Sequence, residues 1–526
     1  MYSINTVLRK IFLFISIWTM ASAGFFCGEK PMVETEPNNS FDRATTITVG
    51  KPVAGTLAGR DDRDFFRLEI TEPAVFDIEL SPVRGINHSF KIWKGLDSPV
   101  MIKQVDDLRK SSPERMCNLY AVEGSYFISV EHGEKDVPRS GSEDRYVLTV
   151  KGRPPGDEER EPNDEALTAN PVEINREITG YFSPAYNRLN RNPESPMREE
   201  DWFVMTPGAD TSGQLLLDVV LSGVPGVNSV LYLYGPSMKL LGRADAEGPG
   251  HGEILKGIGV KGNEACYILV TTKNYSSNND VPYSLIVSSR VHDPKTEMEP
   301  NNNVETANMI MEGLIGGTVY PKGDSDYFRY RGDSARGIYR IEAVPPLSMD
   351  IRVKIINGAG ETLQVIDNGG AGFREVFPNL PTGDDFYIQV YSTDAYSDSE
   401  SEYRLSVSPV EFAVSQEREP NDVKENATVI NETLIYGFVS KKNDVDYFSV
   451  KNPGRMIREF KLKGIKEGRL RFSVTDPLGY IIKTEEIEGD RSVTIRETID
   501  QRGYIIVEAV KENFDAPYII SIGESR

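Results

Sequence analysis

Carboxylates recur in this chain at a spacing that chance does not produce. Glu34-Thr35-Glu36-Pro37-Asn38-Asn39 returns as Glu159-Arg160-Glu161-Pro162-Asn163-Asp164, as Glu297-Met298-Glu299-Pro300-Asn301-Asn302, and as Glu417-Arg418-Glu419-Pro420-Asn421-Asp422. Downstream of each lie an Ala (Ala44, Ala166, Ala307, Ala427), a Gly (Gly55, Gly180, Gly317, Gly437) and an acidic-aromatic cluster. The clusters read Asp62-Arg63-Asp64-Phe65-Phe66, Glu200-Asp201-Trp202-Phe203, Asp324-Ser325-Asp326-Tyr327-Phe328 and Asp444-Val445-Asp446-Tyr447-Phe448. Two Glu, an Asn, an Asn or Asp and a later pair of acids make the oxygen-rich donor set that calcium prefers. One site per copy then requires only that the entry segment run beside the Asp-x-Asp strand. The alternative is that the Glu side chains are solvated, Pro-Asn forms a turn, and the acids merely open a strand. The second copy fits calcium least well, because Glu199 and Glu200 stand where the first Asp is expected.

Catalytic patterns are not found. The four histidines, His88, His132, His251 and His292, are scattered. No His-Glu-x-x-His, Gly-x-Ser-x-Gly or phosphate-binding Gly-x-x-x-x-Gly-Lys-Ser/Thr occurs. A carboxylate pair could still do general acid-base work, which keeps an unrecognised hydrolase as a third reading behind a non-enzymatic one. Arg331-Gly332-Asp333 falls between two expected strands, where an integrin-binding tripeptide would be displayed; Gly-Asp is also a common turn pair, and the turn alone accounts for it.

The segments between these motifs alternate with period two: Phe76, Ile78 and Leu80 with Asp77 and Glu79, and Phe460 and Leu462 around Lys461. Such runs, separated by turn pairs such as Pro453-Gly454 and Asp476-Pro477, predict strands that bury one face. Each copy closes on two aromatic-led runs, such as Tyr126–Val130 followed by Tyr146–Val150, and Tyr387–Val390 followed by Tyr403–Val407. These predict a terminal hairpin. About 120 residues with seven to nine short strands is the size of one β-sandwich. The chain is therefore expected to be all-β, with four tandem jelly-roll-like sandwiches at 34–152, 159–290, 297–410 and 417–526.

Composition agrees with a soluble, multidomain, turn-rich chain: 526 residues, 39% hydrophobic, 26% charged, 45 Gly and 32 Pro, with mean hydropathy −0.38. A formal charge of −21 repels phosphate and argues against nucleic acid as a partner. Arg9 and Lys10, an apolar run from Ile11 to Trp18, and Ala21-Ser22-Ala23 read as a secretory signal over residues 1–23, too short an apolar run to span a bilayer. Its removal would leave a net charge of −23, because residues 1–23 carry those two bases and no acid. Cys27 offers a second reading, a lipoprotein-type anchor, although Phe26 precedes it where a small residue is usual. The expected location is periplasmic, cell-surface or secreted, with membrane contact only through such an anchor. Cys117 and Cys266 are too few and too far apart for a disulfide framework.

Taken together, the Glu-x-Glu-Pro-Asn entry, the Ala, the Gly and the Asp-x-Asp-Tyr-Phe cluster resemble the bacterial pre-peptidase C-terminal domain family, over nearly the whole chain after the signal. The resemblance implies a jelly-roll-type sandwich of the kind appended to secreted proteases, similar to the collagen-binding domains of clostridial collagenases. It further implies calcium held by the acidic entry segment and the Asp-x-Asp hairpin. Here no peptidase segment accompanies the modules. The resulting expectation is a calcium-stabilised binding or adhesion protein whose partner is an extracellular or envelope protein or polysaccharide, matrix protein being the first class to test. A structural spacer is the runner-up. None of the three tryptophans, Trp18, Trp93 and Trp202, is expected to be available for a ligand.

Overall fold

The alternation of Ala74–Leu80 is realised as a strand whose Phe76, Ile78 and Leu80 are buried while Asp77 and Glu79 face outward, and the same rule builds the rest of the chain. The computed structural model describes residues 30–106, 109–133, 144–183, 199–208, 213–245, 248–274, 276–333, 337–392, 401–410 and 415–524. The expected signal, Cys27 and the Asn-, Arg- and Pro-rich stretch Ala185–Arg198 lie outside the described residues. Among those described, the chain is all-β, with helical geometry confined to four single 3-10 turns, Phe41–Arg43, Ala166–Thr168, Val304–Thr306 and Lys424–Asn426. No helix among them is long and apolar enough to cross a membrane.

Among the described residues, eight sheets form four sandwiches. In the first, one sheet runs Met32–Val33, Val53–Gly55, Tyr146–Arg153, Ala74–Leu80, Glu114–Ala121; the facing sheet runs Thr45–Thr46, Asp64–Ile70, Gly124–His132, His88–Lys94, Val100–Val105. Between them lies a core that includes Phe66, Phe90, Met116, Ile128 and Leu148. In the third, Asn308–Met309, Ser325–Tyr330, Phe386–Ser392, Ile351–Asn357 and Thr362–Ile366 face Leu314–Gly317, Tyr403–Pro409, Ile338–Val344 and Glu375–Pro381, closing on Phe328, Ile341, Phe386 and Leu405. The same order across the sheet recurs in the fourth, around Phe448, Phe460, Phe472 and Ile505. Two compact units result: Met1–Pro162 with Tyr181–Glu199, and Asn163–Gly180 with Glu200–Arg526.

Two expectations are corrected. The closing runs are not a hairpin: Gly124–His132 pairs with Asp64–Ile70 and His88–Lys94, whereas Tyr146–Arg153 pairs with Val53–Gly55 and Ala74–Leu80 in the opposite sheet. The third and fourth copies do the same. Both strands are central, so each needs a partner on either side, and the polar connection lets the chain cross between sheets instead of folding back. The recurring Ala is also displaced in the second copy. Ala44, Ala307 and Ala427 each follow a 3-10 turn, and the residue that does so in the second copy is Ala169, not Ala166.

Candidate cation sites

The entry segment does run beside the Asp-x-Asp strand. The carbonyl of Asn38 accepts from the Phe65 amide at 3.0 Å, that of Asn301 from Tyr327 at 2.9 Å, and that of Asn421 from Tyr447 at 2.9 Å. The next residues then pair in parallel with the same strand, as Thr45–Thr46 does with Phe66 and Arg67. The Glu-Pro bond is cis in all four copies.

In the third copy, oxygens of Glu297, Glu299 and Asp326 lie within 4.8 Å of one another, and all three residues are buried. Each carboxylate is oriented by neutral donors. Glu297 Oε1 accepts from the Thr318 amide at 2.5 Å and hydroxyl at 2.9 Å, Glu299 Oε2 from the Asn301 amide at 2.8 Å, and Asp326 Oδ2 from the Tyr403 hydroxyl at 2.7 Å. Asp324 is held at the rim by the Tyr320 and Ser325 amides. Glu299 Oε1, Asn301 Oδ1 and Asp326 Oδ1 are buried and receive no hydrogen bond, although Asn301 and Asp326 are 0% exposed. Burial, with the neighbouring acids adding to it, pushes the Glu299 carboxyl up to about 9. Burial likewise takes Glu297 to about 8 and Asp324 to about 6, and raises Asp326 well above the carboxylate range. Unpaired buried charge is costly, and converging oxygens without donors fit a bound divalent cation.

The first copy has the same geometry in a more open setting. Glu34, Glu36 and Asp64 cluster; Glu34 accepts from the Thr56 amide at 2.6 Å and from Asn38 Nδ2 at 3.1 Å. Tyr146 donates to Asp64, and Asn38 Oδ1 and Asp64 Oδ1 have no donor. Burial pushes Asp64 up to about 8. Asp62 is turned to the side, accepting from Asn39 Nδ2 and the Ala58 amide.

The fourth copy gathers Glu417, Glu419 and Asp446, with Tyr518 donating to Asp446 at 2.6 Å and to Glu417 at 3.2 Å. It differs in two ways. Lys441 pairs with Asp422 beside the cluster, and Asn421, with its amide turned, would donate to Asp446 Oδ1 at 2.9 Å. Asp444 accepts from the Ser440 amide and keeps a buried Oδ1 without a donor.

The residues of the second copy divide between the two units. In the first unit, Glu159 accepts from the Tyr181 amide at 2.8 Å and from Asn118 Nδ2 at 3.2 Å. Lys103 places its ammonium 3.2 Å from Glu161 and 3.9 Å from Glu199. In the second unit, Asp201 accepts from the Tyr283 hydroxyl at 2.7 Å, and the Asn163 carbonyl accepts from the Trp202 amide. Asp164 is half-buried in the same entry segment. In this copy a lysine therefore supplies positive charge to Glu161 and Glu199.

Sequence reasoning missed the tyrosines and the purpose of the glycine. Tyr146, Tyr283, Tyr403 and Tyr518 are fully buried and each donates to the Asp that directly precedes the aromatic pair of its cluster; their fourfold recurrence in the last strand was the available signal. A Cβ on Gly317 would lie 2.4 Å from Glu297 and 2.5 Å from the Tyr403 oxygen, and one on Gly55 2.3 Å from that of Tyr146. Glycine therefore makes room for the Glu and the Tyr.

Elsewhere, Gly332 donates to Asp385 and Asp333 to the Tyr339 hydroxyl through their amides, which ties the Arg331-Gly332-Asp333 turn down at its backbone. Cys117 lies inside the strand Glu114–Ala121 and Cys266 opens the strand Cys266–Thr272. Trp93 is half-buried and donates to Ser129. Trp202 stacks on Tyr234 at 5.6 Å, and Tyr234 on Tyr232 at 6.1 Å, as a half-buried ladder on the outer side of its sheet. In the first copy Phe41 packs edge-on against Phe65, Trp93 and Phe127. The second copy carries Ala166 at that motif position, so this cover is missing and Trp202 is more available than expected.

No family model matches the chain, and no curated protein matches it. Among solved structures it is similar to the pre-peptidase C-terminal domain of a collagenase from Bacillus anthracis, at 18% identity over 24% of this chain and 100% of that one, TM-score 0.18. It is also similar to the CUB1-EGF-CUB2 region of human MASP-1/3, at 10% identity over 40% of this chain and 99% of that one, TM-score 0.15. A third is the triple jelly roll of an archaeal virus turret, at 14% identity over 61% of this chain and 80% of that one, TM-score 0.15.

Proposed function

We propose that this is a non-catalytic, exported protein of calcium-stabilised β-sandwiches that engages a protein or polysaccharide outside the cytoplasm. The observation that carries the calcium part is the pair Asn301 Oδ1 and Asp326 Oδ1, buried without donors in the third copy and repeated as Asn38 Oδ1 and Asp64 Oδ1 in the first. A cation bound only to the folded chain stabilises it by RT ln(1 + [L]/Kd), about 2.7 kcal/mol at a hundredfold excess over Kd. Support for a ligand comes from the Trp202–Tyr234–Tyr232 ladder, since aromatic side chains dominate contact energies at binding surfaces.

A spacer role is favoured by a separate observation, the bonding of the third sandwich to the fourth through Arg340, Arg374 and Asp515. The two readings separate on immobilised matrix proteins and glycans with calcium present. The ligand-binding reading expects the full chain to bind above an unrelated acidic protein and Trp202→Ala to lose at least tenfold; binding no better than that control leaves the spacer reading.

A further inference from the structure

One asparagine of the third sandwich belongs, by its bonds, to the cation site of the fourth. Asn379 sits on the edge strand Glu375–Pro381 and is 2% exposed. Its Nδ2 donates to Glu417 Oε1 at 2.8 Å, and its Oδ1 accepts from the Ser440 hydroxyl at 2.9 Å. Those partners lie on the two arms of the fourth site: Glu417 is one of its clustered carboxylates, and the Ser440 amide holds Asp444 at 2.6 Å. Asp444 is 1% exposed, and its Oδ1 has no donor. Beside Asn379, Phe377 and Leu380 line a small cavity whose other wall is Glu419, Pro420 and Lys441. A second clasp needs no carboxylate cluster: Arg340 donates to the Phe514 carbonyl at 2.9 Å and to Asp515 at 3.2 Å, and Arg374 donates to Asp515.

The preceding joint is built on the same plan. The Glu299 amide donates to the Gly257 carbonyl at 2.9 Å, and the Gly259 amide donates to the Glu299 carbonyl at 2.7 Å. The main chain of Glu299 therefore pairs in parallel with the edge strand Glu253–Lys261 of the second sandwich, while its carboxylate belongs to the third copy's cluster.

We infer that the fourth cation site is assembled by two sandwiches, with Asn379 as a positioning residue, so that cation binding and the docking of the third sandwich on the fourth are coupled. This rests on the calcium reading above. The physical basis is that Asn379 brings no charge: with the Phe438 amide, at 2.5 Å, it supplies neutral donors that fix Glu417 in orientation. Partners of this kind, which orient a metal-binding group, change affinity by about 10–100-fold. Coupling is reciprocal, so whatever docking contributes to affinity, the cation returns to docking.

The test is hydrogen exchange and calcium titration on the full chain. In the wild type, calcium should slow exchange in 375–381 as well as in 444–447. Glu419→Gln, which removes a carboxylate of the fourth site and of no other cation site, should abolish both effects and leave calcium protection of 325–328 intact. Asn379→Ala should weaken calcium at the fourth site by about tenfold and remove protection of 375–381. Ser440→Ala, which deletes the other bond to Asn379 without altering the third sandwich, should act in the same direction. Calcium protection of 444–447 without any effect on 375–381, or wild-type affinity in both variants, overturns the coupling while leaving the calcium reading standing. Absence of calcium protection in all three segments overturns the calcium reading, and the coupling with it.

Discussion

Tyr403 donates its hydroxyl hydrogen to Asp326 Oδ2 across 2.7 Å, while Oδ1 of the same carboxylate receives no donor. The tyrosine thus orients an acid whose second oxygen is left for a cation. Tyr403→Phe removes that donor without changing the ring in the core. Stranding a buried acceptor costs about 1–3 kcal/mol, so the free energy of unfolding without calcium, read from chemical denaturation, should fall by that amount. Calcium affinity of the third site should drop about tenfold in titrations. Unchanged affinity would show that the hydroxyl does not position Asp326 for binding.

The direction of the pH dependence follows from the raised carboxyls. Burial lifts Glu299 to about 9, and Glu297 and Asp64 to about 8, all above their unfolded values. The folded state therefore holds protons that the unfolded chain has released. Stability from these groups is full below about pH 4 and is lost as pH rises towards and through 8–9. A cation binds the ionised form, so its stabilising effect should grow over the same window. Melting with calcium and with a chelator should differ more at pH 8 than at pH 5.5; an equal difference at both would contradict the assignment.

Lys103 takes the opposite part in the second copy. With its ammonium 3.2 Å from Glu161 and 7% side-chain exposure, Lys103→Met leaves buried carboxylates without that counter-charge, a change that costs about 3–5 kcal/mol. Chemical denaturation without calcium should show that loss, and calcium should recover part of it. A destabilisation below about 1 kcal/mol would mean that the lysine is not the counter-ion.

The architecture was legible to the extent that it is local. Alternation along Ala74–Leu80 reports its own buried face, and the acidic motif names most of the donors because they lie within two short segments. What escaped depends on residues far apart in sequence. Tyr403 is 77 residues from Asp326 and Lys103 58 from Glu161, and Asn379 belongs to another sandwich altogether. The closing pair was misread as a hairpin because adjacency in sequence carries no record of which sheet a central strand joins. Trp202 was set aside because it falls in the acidic motif, whereas strand alternation sends Asp201 inward to Tyr283 and Trp202 outward to Tyr234.

The most direct test of the central claim, that the converging carboxylates hold calcium, is equilibrium calcium binding to the full chain and to Asp64→Asn/Asp326→Asn. The wild type should bind calcium saturably, and the double variant should lose the first- and third-copy sites, with fewer ions bound and a smaller calcium-induced rise in Tm. Equal binding by both chains, or none by the wild type at millimolar calcium, would contradict the account.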